Sequence, residues 1–99
     1  MKNRDHFTKL SSVKLGVNKQ GLVFYICRNY YNFGEGKRKI MDDAFEKAGG
    51  DYAPALKRFM TSADTAVKVC IDHNIGSEKT LYIVVRRLYE IFPLNKFMR

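Results

Sequence analysis

The residues best suited to chemistry lie near the C-terminus, where side chains that donate hydrogen bonds recur at helical spacing. From Leu81 onward, apolar residues occur at i, i+3, i+4, i+7, i+8 and i+11, which predicts an amphipathic helix from Ser77 to about Ile91. If the apolar side faces a core, the opposite side presents hydroxyl, ammonium and guanidinium groups, which bind phosphates and base edges. The candidate contacts are Ser77, Lys79, Thr80, Tyr82, Ile83, Arg86 and Arg87.

These side chains have distinct expected roles against a DNA duplex. Lys79 and Arg86 are expected to donate to guanine O6 and N7 in the major groove. Thr80 or Ile83 is expected to touch a thymine methyl group. Ser77, together with the free N–H groups at the start of the helix, is expected to hold a phosphate. Of the remaining two, the arginine at 87 suits the DNA backbone, and the tyrosine at 82 suits a base contact and a protein contact equally.

The segment from Thr65 to Arg87 resembles a helix-turn-helix, the motif of many bacterial and phage regulators. Ala66 matches the small residue where the two helices approach closely, Ile75 matches the apolar plug of the junction, and a serine cap opens the second helix. The resemblance is to a superfamily, and it implies that the second helix enters the major groove. One departure is that the turn is one residue longer than the commonest pattern, with Asn74 at the usual glycine position.

The charge balance also favours a polyanionic partner. The 99 residues carry eighteen Lys and Arg against ten Asp and Glu, a formal net charge of +8. Basic residues dominate 1–39 and 74–99, whereas acidic residues dominate 40–73. A basic domain of this size is typical of nucleic-acid binders, although charge that serves only solubility is the alternative.

A second basic region runs from Arg28 to Lys39, into the start of the predicted helical part, and Lys19 lies at the tip of the predicted hairpin. Its candidate nucleic-acid contacts are Lys19, Arg28, Lys37, Arg38 and Lys39. Tyr30, Tyr31 and Phe33 lie beside these cations and suit stacking on unpaired bases, so RNA binding is an alternative to DNA binding. The sequence at 34–39 lacks the spacing of a phosphate-binding loop, and we therefore expect no nucleotide site there.

Nothing in the residue pattern predicts an enzyme, a metal site or a cofactor. His6 and His73 have no nucleophile or metal-ligand partner at a suitable spacing. Cys27 and Cys70 fall in apolar stretches without a CxxC spacing, so we expect reduced core residues. No secretory signal and no membrane-spanning run is present, which predicts a cytoplasmic protein.

The predicted fold is a single α+β domain over residues 1–99. A basic arm at 1–9 is followed by a β-hairpin at 12–28, because apolar and polar residues alternate before a β-branched and aromatic run. Residues 37–92 are predicted to form about four helices, the last three of which make a helix-turn-helix-like unit with the motif at about 63–91. The first of the four should end at Gly49-Gly50, and its predicted apolar stripe is Ile40, Met41, Ala44, Phe45 and Ala48. Pro54 is expected in the first turn of the next helix. Asp51 is predicted to cap one of these helices, and Thr61 to Asp64 is predicted to form the capping box of the next.

The leading functional hypothesis is a DNA-binding transcriptional regulator, or a regulator of a mobile element or phage. One alternative is a protein-interaction module or inhibitor that targets a nucleic-acid-binding protein, and another is an RNA-binding protein. We expect no membrane partner. The sequence leaves a homodimer open.

Overall fold

Five α-helices account for most of the computed structural model, which describes residues 17–97. These are α1 (Val17–Arg28), α2 (Glu35–Gly49), α3 (Ala53–Thr61), α4 (Ala66–Asp72) and α5 (Glu78–Ile91). Three short 3-10 turns occupy Tyr30–Asn32, Gly50–Tyr52 and Leu94–Lys96. No strand occurs between residues 17 and 97.

The predicted β-hairpin at 12–28, and with it the α+β class, is wrong. Residues 17–28 form helix α1, and 12–16 lie outside the described residues. The residues at 20, 23, 24 and 27, which share one helical face, are all fully buried. Leu22 and Tyr25 remain exposed on another face, so apolar residues occur on several sides of this helix. An apolar run of that kind looks the same in a strand and in a buried helix, because neither period stands out.

Helix α2 confirms the apolar stripe expected in the middle of the chain. Met41, Ala44, Phe45 and Ala48 are buried, and the helix ends at Gly49, as predicted. Gly50, the C-cap residue of α2, adopts a φ of 55°. Residues other than glycine rarely adopt a φ in this range, so glycine suits the end of the helix. A Cβ atom added at Gly49 would lie only 3.2 Å from the Cβ of Ala53, so Gly49 permits the close packing of α3.

Both predicted caps before α3 and α4 are wrong. Asp51 lies in the 3-10 turn, and no side chain caps α3, although Pro54 does lie in the first turn of that helix, as expected. Thr61 ends α3, where its hydroxyl donates to the carbonyl of Lys57 over 2.7 Å. Helix α4 starts later, with Thr65 Oγ1 accepting from the backbone N–H at 68. A threonine hydroxyl can serve either end of a helix, so the capping pattern alone was ambiguous.

One hydrophobic core joins all five helices. Helix α3 packs against each of the other four helices, and α2 packs against both α3 and α5. Helix α5 contributes its predicted apolar side, which is buried at Leu81, Val84, Val85, Leu88 and Tyr89. Across residues 17–97, every helix is too short or too polar to cross a bilayer.

Candidate nucleic-acid interface

A tight turn at 73–77 joins α4 to α5, and both helices also pack on α3. Asn74 adopts a φ of 57°, a left-handed conformation that asparagine tolerates better than most residues. Its neighbour Ile75 is 8% exposed, and the backbone N–H of Ile75 donates to the carbonyl of Cys70 over 2.8 Å. The apolar plug and the left-handed asparagine therefore lie where the sequence predicted them, and they hold α5 against α4.

Ser77 is the N-cap of α5, as predicted. Its Oγ accepts from the backbone N–H of Lys79 over 3.1 Å, and its carbonyl accepts from the backbone N–H of Thr80 over 3.1 Å. The Sγ of Cys70 also lies 3.8 Å from that carbonyl. Because the cap uses an acceptor lone pair of Oγ, the hydroxyl proton remains available to a phosphate oxygen.

Three of the predicted contacts fall on one side of α5. Lys79, Ile83 and Arg86 are spaced i, i+4 and i+7, which aligns them on consecutive turns. Lys79 and Ile83 are exposed and Arg86 is half-buried. Arg87 is also exposed, about 100° around the helix from its neighbour. We call Lys79, Ile83 and Arg86 the α5 stripe.

The cations of α5 have no carboxylate counterion among the described residues. Within residues 17–97, no carboxylate forms an ion pair with Lys79, Arg86 or Arg87. The Nε atom of Arg86 is buried and has no hydrogen-bond partner in that range. Burial of this atom means that packing restrains the stem of the side chain, so contact with a partner falls to the terminal nitrogens of the planar guanidinium.

Tyr82 and Thr80 are less available than the α5 stripe. The ring of Tyr82 is half-buried and lies edge-on against Phe59 of α3, with centroids 5.7 Å apart and an interplanar angle of 85°. This contact makes Tyr82 a packing residue between α5 and α3. Thr80 is half-buried as well.

Acidic residues near α4 are neutralised by a different arginine. Arg58 of α3 contacts Asp64 over 3.1 Å and Asp72 over 2.8 Å, and Lys68 lies 3.5 Å from Asp72. Arg58 holds the pKa of Asp72 below its usual value, and the two carboxylates raise the pKa of Arg58. This network ties α3 to the start and end of α4. Sequence reasoning missed Arg58, and only the i, i+4 spacing of Lys68 and Asp72 signalled part of the network.

The second basic region is spread over two helices. Lys19 is exposed on α1, and the guanidinium of Arg28 lies 5.7 Å from the ring of Phe24. Lys37 lies over the ring of Phe97 at 5.0 Å and donates to the carbonyl of the lysine at 96. Lys39 is exposed, and Arg38 is half-buried with a buried Nε that has no partner among the described residues.

Packing engages all three aromatic residues of the RNA hypothesis, and the rings of Tyr30 and Tyr31 lie edge-on with their centroids 4.9 Å apart. Tyr30 is 5% exposed, and its hydroxyl lies 2.9 Å from both carboxylate oxygens of Asp42. Lys57 reaches the same hydroxyl at 3.0 Å and Asp42 at 3.1 Å, and these contacts raise the pKa of Lys57. Phe33 packs edge-on against the ring at 97, and Tyr31 alone is 70% exposed. No sequence pattern signalled the Tyr30–Asp42–Lys57 cluster, because its members are far apart in the chain.

The thiols and acidic residues gather into no metal-binding group within residues 17–97. Cys27 and Cys70 are buried free thiols, as expected, and burial raises the pKa of each. His73 is the C-cap residue of α4, and the arm that contains His6 lies outside the described residues.

No protein-family model matches the chain, and no curated protein or solved structure matches it either.

Proposed function

We propose that this chain binds double-stranded DNA, with α4 and α5 acting as a helix-turn-helix and the N-terminal half of α5 in the major groove. A regulator that reads sequence would work in this way. The observation that carries the proposal is the α5 stripe, whose two cations have no counterion within residues 17–97. Lys57, Arg58 and Lys68 pair with carboxylates in that range, whereas Lys19, Lys39 and Lys47 form no ion pair there either. The α5 stripe differs from these scattered lysines because its two cations lie on one side of one helix, at i and i+7.

Electrostatics explains why this asymmetry favours DNA. A cation that already pairs with a carboxylate gains little from a phosphate, because the pair must first be broken. A cation without a partner displaces counterions from DNA at no such cost. The planar guanidinium of Arg86 also suits the two acceptors of a guanine edge.

Binding to labelled duplexes of about 25 base pairs, measured by fluorescence anisotropy at several salt concentrations, tests the proposal. A duplex selected from a random library should bind with an affinity that falls steeply with salt. On that duplex Lys79→Ala and Arg86→Ala should each cost about 10-fold to 100-fold. Arg87→Ala should weaken all duplexes similarly and reduce the salt slope by about one.

Lys47→Ala is the matched control, because Lys47 is an exposed lysine on α2 and away from the α5 stripe. Its affinity should stay within about twofold of the parent, as expected for a cation that contacts no phosphate. Equal binding by the parent and by both α5 stripe variants would refute the proposal. Tighter binding to single-stranded RNA than to duplex would favour the RNA alternative.

A protein partner is the second candidate, and one observation favours it. Leu22 and Tyr25 of α1 are 40% and 53% exposed on adjacent turns, next to the half-buried Ile26. Exposed apolar groups of this kind recur at protein interfaces. This candidate predicts no duplex affinity at physiological salt.

A further inference from the structure

Ile83 is the unusual member of the α5 stripe. It is 39% exposed and lies one turn from Lys79 on one side and one turn from Arg86 on the other. Both neighbours can bind phosphates, but an isoleucine side chain has no group that binds a phosphate or any polar acceptor. An apolar residue here can gain from DNA only by contact with an apolar group in the groove.

The major groove offers one such group on its base edges, the 5-methyl of thymine. Thr80 and Tyr82 are the other residues of the first two turns that carry carbon atoms suited to this contact. Both are half-buried, and the tyrosine ring is engaged by Phe59. Ile83 is therefore the most exposed apolar side chain on the DNA-facing side of α5.

The spacing along the helix fixes where this contact falls relative to the two cations. Lys79 and Ile83 are about 6 Å apart along the axis, and Ile83 and Arg86 are about 4.5 Å apart. Successive base pairs are separated by about 3.4 Å along the duplex axis, so each interval spans at most about two base steps, the limit for a helix axis parallel to the duplex axis. The apolar contact lies between the two polar contacts within about four base pairs.

We propose that Ile83 makes α5 selective for thymine, by contact with the 5-methyl group, at a base pair between those contacted by Lys79 and Arg86. This inference rests on the proposed function, since it needs α5 in the major groove. Ile83 is then a specificity-determining residue, and thymine is the base that it selects.

Replacement of thymine by deoxyuridine tests the inference, because it removes the methyl group and leaves base pairing intact. The probe is the duplex most enriched by the parent protein from a random library, resynthesised with deoxyuridine at one thymine position at a time. At one position the parent should bind the deoxyuridine duplex about fourfold more weakly than the thymine duplex, which is the difference expected for one buried methyl group.

Ile83→Ala should bind the thymine and deoxyuridine duplexes equally at that position, and Ile83→Val should retain part of the preference. Arg87→Ala is the matched control, since it should weaken binding and keep the full preference. Thermal melts should show that each purified variant unfolds cooperatively, with a melting temperature within about 10 °C of the parent, because Ile83 is 39% exposed and only part of its side chain is packed.

The outcomes separate this inference from the proposed function. Absence of duplex binding at every salt concentration refutes both. Duplex binding with no thymine position sensitive to deoxyuridine refutes the inference and leaves DNA binding standing. A thymine preference that persists in Ile83→Ala assigns the contact to another residue and also refutes the inference.

Discussion

Tyr30→Phe removes a single oxygen atom from the interior and should destabilise the fold substantially. The hydroxyl of Tyr30 lies 2.9 Å from both oxygens of Asp42 and accepts from Lys57 over 3.0 Å. It therefore joins the 3-10 turn after α1 to α2 and α3 through two charge-assisted hydrogen bonds. The aromatic ring itself stays, so packing against Phe45 is kept.

The magnitude follows from these contacts. A hydrogen bond to a charged group contributes about 1.5–3 kcal/mol. Lys57 and Asp42 remain paired with each other at 3.1 Å, so neither charge is left without a partner and the lower end of that range applies. We expect a loss of about 2 kcal/mol in the free energy of unfolding, which lowers the melting temperature by about 10 °C in a domain of this size.

Urea and thermal unfolding followed by circular dichroism measure this loss. Tyr31→Phe is the matched control, because the adjacent tyrosine is 70% exposed, and its change should stay within about 0.5 kcal/mol. In an Asp42→Asn background the cost of Tyr30→Phe should shrink, since the charged acceptor is gone. Equal stability of Tyr30→Phe and the parent would show that the cluster does not hold the three elements together.

Three further predictions concern the α3–α4–α5 unit. Ser77→Ala should cost about 1 kcal/mol in unfolding free energy by loss of the cap, whereas Ser77→Asp should retain most of it; equal losses in chemical denaturation would contradict this. Asn74→Val should cost about 1–2 kcal/mol, because a β-branched residue resists φ near 57°, and Asn74→Gly should be neutral or stabilising in the same assay. Arg58 depresses the pKa of Asp72 below its ordinary 3.8, so the folded protein binds fewer protons there than the unfolded one. That stabilisation is present above the unfolded pKa and is lost as the pH falls through the folded pKa. Melts between about pH 5 and pH 2 should therefore decline less steeply in Arg58→Gln than in the parent, and parallel declines would refute the assignment.

The elements with one clear period were predictable from the sequence. The stripe of α2 and the apolar side of α5 recur every three to four residues, and the structure buries the predicted members of both except Ile40, which is half-buried. The turn before α5 was predictable in the same way, since Asn74, Ile75 and Ser77 each have a conformation or contact that local chemistry favours. These features were predictable because each depends on residues within a few positions of one another in the sequence.

Helix α1 shows where sequence reasoning stopped. Its residues have apolar side chains on several faces, so the local pattern fitted a strand as well as a helix. Packing against α3 decides the outcome, because the helix buries Gln20, Val23, Phe24 and Cys27 together on one side.

Most of the charge network depends on tertiary structure, and only the Lys68–Asp72 pair is local in the sequence. The sequence by itself determined how many cations the chain carries and that several of them lie along α5. It did not determine which cations stay without a partner, since Arg58 meets Asp72 and Lys57 meets Asp42 only after the helices pack. Ion pairs form across space between residues distant in the chain, and the fold therefore decides which charges remain for a partner.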